Sequence, residues 1–117
     1  MKEYYSELMD LFLAETEENI QVLEEEILNL ETSVDAGETL NCIFRAAHTI
    51  KGSSGLVGCT VLQQFTHYLE DVLGDLRGGL IELTPTLIHA VLASVDLIKS
   101  MVKNLKVGKP EGADLVW

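Results

Sequence analysis

The sequence predicts an all-α protein: an antiparallel up-down-up-down four-helix bundle with at most the start of a fifth helix. Three observations carry that expectation. Apolar residues recur with a period close to 3.6 along nearly the whole chain. Strand-like alternation is missing. Glycine-containing breaks near Gly37, Gly58 and Gly78 cut the chain into four amphipathic stretches, and short turns between such stretches make sequence neighbours antiparallel.

The first helix is expected over about residues 3–31, with Tyr5, Leu8, Phe12, Ile20, Leu23, Ile27 and Leu30 as its inner stripe. Glu17, Glu18, Glu24 and Glu25 take its outer face. "SVDAGET" breaks it, with Gly37 as the turn residue. The second helix covers about 38–57, turning Leu40, Ile43, Phe44, Ala47 and Ile50 inward, and Gly58 ends it. The third covers 60–77, starting at Thr60 as a capping residue with Gln63 completing a capping box. Leu62, Phe65, Leu69, Val72 and Leu76 form its core stripe, and "RGG" stops it. The fourth covers 85–107. Thr84 caps it, Pro85 occupies the first position, where a missing N–H costs nothing, and Gly108 and Pro110 close it. Its inner side is Ile88, Val91, Val95, Ile98, Val102 and Leu105. "EGADLVW" would begin a fifth helix.

The 117 residues fit one domain spanning 1–117, long enough to bury a core without disulfides or metals. An apolar content of 47% argues against disorder. No uninterrupted apolar run approaches the roughly 20 residues of a membrane span, and "MKEYYSELMD" is too acidic for a signal peptide. Cys42 and Cys59 fit no metal spacing, so a cytoplasmic protein with reduced thiols is expected.

The formal net charge of −11 speaks against nucleic acid and anionic membrane as partners, since both reward lysine and arginine. Twelve of the 19 acidic residues lie in positions 1–38, and none lies in 39–69. That acid-free window holds Arg45, His48, Lys51 and His67. It is where an anion can approach without repulsion.

On the second helix, Asn41, Arg45, His48, Gly52 and Gly55 share one face, with Lys51 on its flank. That face is polar or tiny throughout, which puts His48 at the surface. Gly52 and Gly55 leave room beside it for the backbone of another macromolecule, at a cost of about 1 kcal/mol each relative to alanine. The third helix carries a matching stripe of Gln63, His67, Glu70 and Gly74. His48 lies about ten residues before the turn and Glu70 about ten after it, so a rise of about 1.5 Å per residue brings them level. A glutamate there accepts the Nδ1 proton and leaves Nε2 with an outward lone pair.

The chemistry this suits is phosphoryl transfer. A neutral imidazole attacks phosphorus through Nε2, and the protein supplies position and charge compensation. Lys51, one turn from His48, is expected beside the phosphoryl oxygens. Glu70 orients the ring. His67 is expected in the hydrogen-bond network or at its rim, and Arg45 either recruits an acidic partner or is a solvated arginine. His89, on the fourth helix, reads as a packing or surface residue. A di-iron bundle would need Glu-x-x-His twice; here there is one reversed copy, His67-x-x-Glu70, so no metal is expected. Without strands there is no nucleotide loop, and no cofactor is expected in this domain.

"AAHTIKGSSGLVG" resembles the phospho-accepting signature of histidine phosphotransfer (HPt) domains. With "TVLQQFTHYLEDVL" following, the chain looks most like the N-terminal phosphotransfer domain of CheA-type chemotaxis kinases. The resemblance implies a phosphoryl group accepted on His48 from a separate ATP-binding kinase domain, which holds the ATP and Mg, and donated to an aspartate of a response-regulator receiver (CheY/CheB-like). It makes Lys51 the phosphate-side cation, Glu70 the tautomer-setting acceptor, His67 a network member and Gly52 the close-approach residue. Thr49, Ser53, Ser54 and Val57 depart from the common pattern. An isolated domain of this kind is expected to be monomeric, a carrier rather than a catalyst by itself. A stand-alone HPt protein of a multistep phosphorelay and a non-phosphorylated docking bundle remain alternatives at this point.

Overall fold

A computed structural model describes the backbone over residues 2–112. The described residues form four helices: α1 (Lys2–Asn29), α2 (Ala36–Leu56), α3 (Thr60–Arg77) and α4 (Pro85–Lys106). α1 packs on α2 and α4, and α3 packs on the same two, closing an antiparallel bundle. The long dimension of 47 Å follows from α1, whose 28 residues rise about 42 Å. The expected start of a fifth helix falls largely in 113–117, outside the described residues.

α1 runs so far because no glycine or proline precedes Gly37. It ends two residues short of the expected 31, where the last turn tightens to bonds from Leu30 N to Ile27 O and Thr32 N to Asn29 O. α2 begins earlier than expected, and Gly37 is not the turn residue. Asp35 is the cap, its side chain accepting from Glu38 N at 3.1 Å, and Gly37 sits in the first helical turn. Gly58, at φ 80°, does end α2, a left-handed conformation that glycine adopts without strain. Thr84 caps α4 as expected, accepting from Leu87 N at 3.1 Å, with Pro85 behind it.

The start of α3 differs from expectation. Thr60 is already helical; Cys59 is the cap residue and makes no side-chain cap bond. The acceptor comes from across the fold. Glu111 takes Val61 N on Oε1 at 2.7 Å and Leu62 N on Oε2 at 3.2 Å. A carboxylate at a helix N-terminus satisfies two orphan donors and the positive end of the helix dipole together.

The core is the set of inner stripes meeting on the bundle axis, with Leu23, Ile27, Ile43, Ile50, Leu62, Leu73 and Ile98 fully buried. Tyr5 is not in it: its ring is exposed and its hydroxyl donates to Val57 O at 3.3 Å. Phe44, Phe65 and Leu105 pack on the core only partly buried. α4 is long and apolar enough, by length and composition, to cross a bilayer. Its apolar stripe of Ile88, Val91, Val95, Ile98 and Val102 is buried in the bundle instead.

Candidate functional site

The site lies on the α2–α3 seam. Ala46, Ala47 and Ile50 anchor α2 inward, which turns His48, two residues from Ala46 on a 3.6-residue helix, outward. Its side chain is 63% exposed. Leu69 and Leu73 anchor α3, and Glu70 points back across the seam. His48 Nδ1 and Glu70 Oε2 are 2.7 Å apart, and Lys51 Nζ donates to Glu70 Oε1 at 2.8 Å.

Glu70 is the electrostatic centre. Its side chain is only 11% exposed. Burial pushes its pKa up, but the hydrogen bonds from Lys51 and His48, with their charges, outweigh burial and hold it below the usual glutamate range. At neutral pH it is therefore an ionised carboxylate, which can only accept. The proton of a neutral His48 must then sit on Nδ1, and Nε2 keeps its lone pair. This is the tautomer an attacking imidazole requires.

Three expected residues have other contacts. The Lys51 ammonium is turned toward the Glu70 carboxylate. It is 23% exposed and tied to Glu70, because a nearly buried carboxylate needs a partner for its second oxygen. His67 does not join His48: its Nε2 faces Asp71 Oδ2 at 3.6 Å, one turn along α3. Gly55 is covered. The amide of exposed Gln63 occupies the place a Cβ would take, the far end of a flexible side chain that can swing aside. Gly52 does stand open, with nothing within 4 Å of where a Cβ would be. Arg45 is exposed, 4.0 Å from Glu38, and His89 is exposed on α4.

Two residues beside the site were not read from the sequence. By pattern alone Phe44 belongs to the core stripe of α2 and Arg77 to the break after α3. The Phe44 ring lies alongside His48, 6.3 Å between centroids and 11° between planes. The Arg77 guanidinium lies 3.8 Å from the Phe44 centroid. The i, i+4 spacing of Phe44 and His48 was the available signal.

The Hpt domain family model matches residues 7–107 of the chain. The chain is 40% identical over 100 residues to the sensor histidine kinase CheAY of Helicobacter pylori, a match covering 86% of this chain and 12% of that protein. It therefore spans about an eighth of that relative's length. Among solved structures, the CheA phosphotransferase domain from Thermotoga maritima has a TM-score of 0.80 and 35% identity, covering 86% of this chain and 95% of that one. The phosphorylated P1 domain of CheA3, solved in complex with CheY6 from R. sphaeroides, has a TM-score of 0.81 and 25% identity, covering 92% of this chain and 85% of that one.

Proposed function

The chain belongs to the Hpt domain family, and from that membership we propose that it serves as the phosphotransfer domain of a CheA-type histidine kinase. His48 accepts a phosphoryl group from a separate ATP-binding domain and passes it to an aspartate of a receiver domain. The observation that carries this reading is the 2.7 Å contact of Nδ1 with Glu70 on a ring otherwise open to solvent.

In the forward step the Nε2 lone pair of His48 attacks the γ-phosphorus of ATP. The bond to the bridging oxygen breaks, and ADP leaves with that electron pair. Nδ1 keeps its proton, so the phosphorylated ring carries positive charge, which the Glu70 carboxylate offsets. Lys51 acts on the carboxylate: it keeps Glu70 ionised and fixes the oxygen that faces His48. In the second step a receiver aspartate oxygen attacks the phosphorus, and the P–N bond breaks with its electrons returning to Nε2. Gly52, bare beside the ring, and Arg45, exposed in the acid-free window, are the contact points for these partners. The relative crystallised as a phosphorylated domain with CheY6 supports a receiver as acceptor. The cytoplasm, where ATP is available, is the compartment this chemistry needs.

The test is incubation with the ATP-binding domain of a CheA-type kinase and radiolabelled ATP, followed by addition of a CheY-like receiver. The chain should take up acid-labile label and lose it to the receiver. His48→Gln should take up none; label persisting in that variant would remove His48 as the acceptor.

A further inference from the structure

The turn of α2 that ends in His48 also carries Phe44, and the chemistry above makes no use of it. Along the seam the two helices run in opposite directions, so the partners of successive turns can be placed in order. Glu70 is level with His48. Gly74 is level with Phe44, where a Cβ would stand 3.5 Å from Phe44 Cε2. Arg77 comes next, beyond Phe44, with its guanidinium over the phenyl ring. Imidazole, phenyl and guanidinium thus follow one another in a row leading away from the reacting nitrogen.

The hydrogen bond to Glu70 restrains one distance, Nδ1 to Oε2, at 2.7 Å. It leaves coupled rotation about the Cα–Cβ and Cβ–Cγ bonds of His48, and that rotation swings Nε2 through an arc. In-line attack on phosphorus tolerates little such freedom. A ring held nearly parallel to a second ring loses it. The separation of 6.3 Å falls within the range in which offset aromatic pairs attract. The exposed Arg77 covers the half-buried phenyl and holds it from the α3 side by cation–π attraction. Resting on the reading of His48 as the acceptor, we infer that Phe44, held by Arg77, is a positioning residue that sets the plane of the imidazole and so the direction of the Nε2 lone pair.

Phe44→Leu, Phe44→Tyr and Arg77→Gln test this with two readouts. One is the mobility of the His48 ring, from relaxation of an isotopically labelled imidazole in the unphosphorylated chain. The other is the rate of phosphorylation by a CheA-type ATP-binding domain. Phe44→Leu should loosen the ring and slow labelling roughly threefold to tenfold, the worth of an aromatic pair, while the proton stays on Nδ1. Phe44→Tyr should restore both. Arg77→Gln, at an exposed position that leaves the core intact, should shift both readouts the same way by less.

Unchanged ring mobility and rate in Phe44→Leu and Arg77→Gln would overturn the inference. So would failure of tyrosine to restore them, which would make the effect one of packing. A slower rate accompanied by a change of tautomer would also overturn it, since the effect would then run through Glu70. If the parent chain takes up no label, the phosphotransfer reading fails, and the ring mobility still decides the positioning role by itself.

Discussion

Replacing Glu70 by glutamine preserves shape while removing one acceptor, and the two contacts of Glu70 dictate the result. Its oxygens accept from His48 Nδ1 at 2.7 Å and from Lys51 Nζ at 2.8 Å. Glutamine offers one oxygen and one NH2 for the same two places. Lys51 can only donate, so the amide oxygen turns to it and the NH2 faces Nδ1. Nδ1 must then accept, the proton moves to Nε2, and the nucleophilic lone pair is lost. Restoring the reactive tautomer would set two donors face to face. Leaving such a donor unpaired where it is largely buried costs about 1–3 kcal/mol, so the reactive form and the phosphorylation rate should fall roughly fivefold to 150-fold. Imidazole nitrogen shifts by long-range NMR correlation report the tautomer, and kinase labelling reports the rate. A glutamine variant that keeps its proton on Nδ1 and labels at the parental rate would show that Glu70 does not set the tautomer.

The same carboxylate predicts an acid response. The folded pKa of Glu70 lies below its ordinary value because Lys51 and His48 outweigh burial. Its stabilisation is therefore fully present above the unfolded glutamate value of about 4.3, and is lost as pH falls through the lower folded value. Chemical denaturation across that window should show a shallower acid limb in Glu70→Gln; parallel limbs would mean no linkage. At the N-terminus of α3, Glu111→Ala removes both acceptors from Val61 N and Leu62 N and should cost about 1 kcal/mol, as other lost caps do. Cys59 is pushed up to about 11, first by burial and then by the charge and hydrogen bond of Glu111. The alanine variant should thus lower the thiol pKa only in part, as thiolate absorbance in a Cys42→Ser background would show. A Cys59 pKa and a melting point both unchanged would disprove the cap.

What the sequence revealed and what it hid divide along physical lines. Helices, their breaks and the pairing of His48 with Glu70 depend on periodicity and on the level at which two antiparallel neighbours meet, and both can be counted along a chain. The Thr84–Pro85 start is a local motif and was equally legible. Glu111 capping α3 joins residues 50 positions apart, and no local pattern encodes it. Thr60 looked like a cap because the motif was right, but the helix had begun one residue earlier. The bond from Lys51 to Glu70 was not legible, since the need of a nearly buried carboxylate for a second partner appears only once burial is known. His67–Asp71 follows the i, i+4 rule and could have been read. Phe44 was apolar on an inward-leaning face, so its part-exposure beside His48 depended on where Gly74 and Arg77 would fall.

In the phosphorylated domain Nε2 of His48 carries the phosphoryl group while Nδ1 keeps its proton and donates it in a hydrogen bond to Glu70. The most direct measurement is NMR of the phosphorylated chain with nitrogen-labelled histidine, in which phosphorus–nitrogen coupling identifies the modified ring atom. Coupling to Nε2 of His48, with Nδ1 still protonated, is the predicted result. Coupling to Nδ1, or to a nitrogen of His67 or His89, would contradict it.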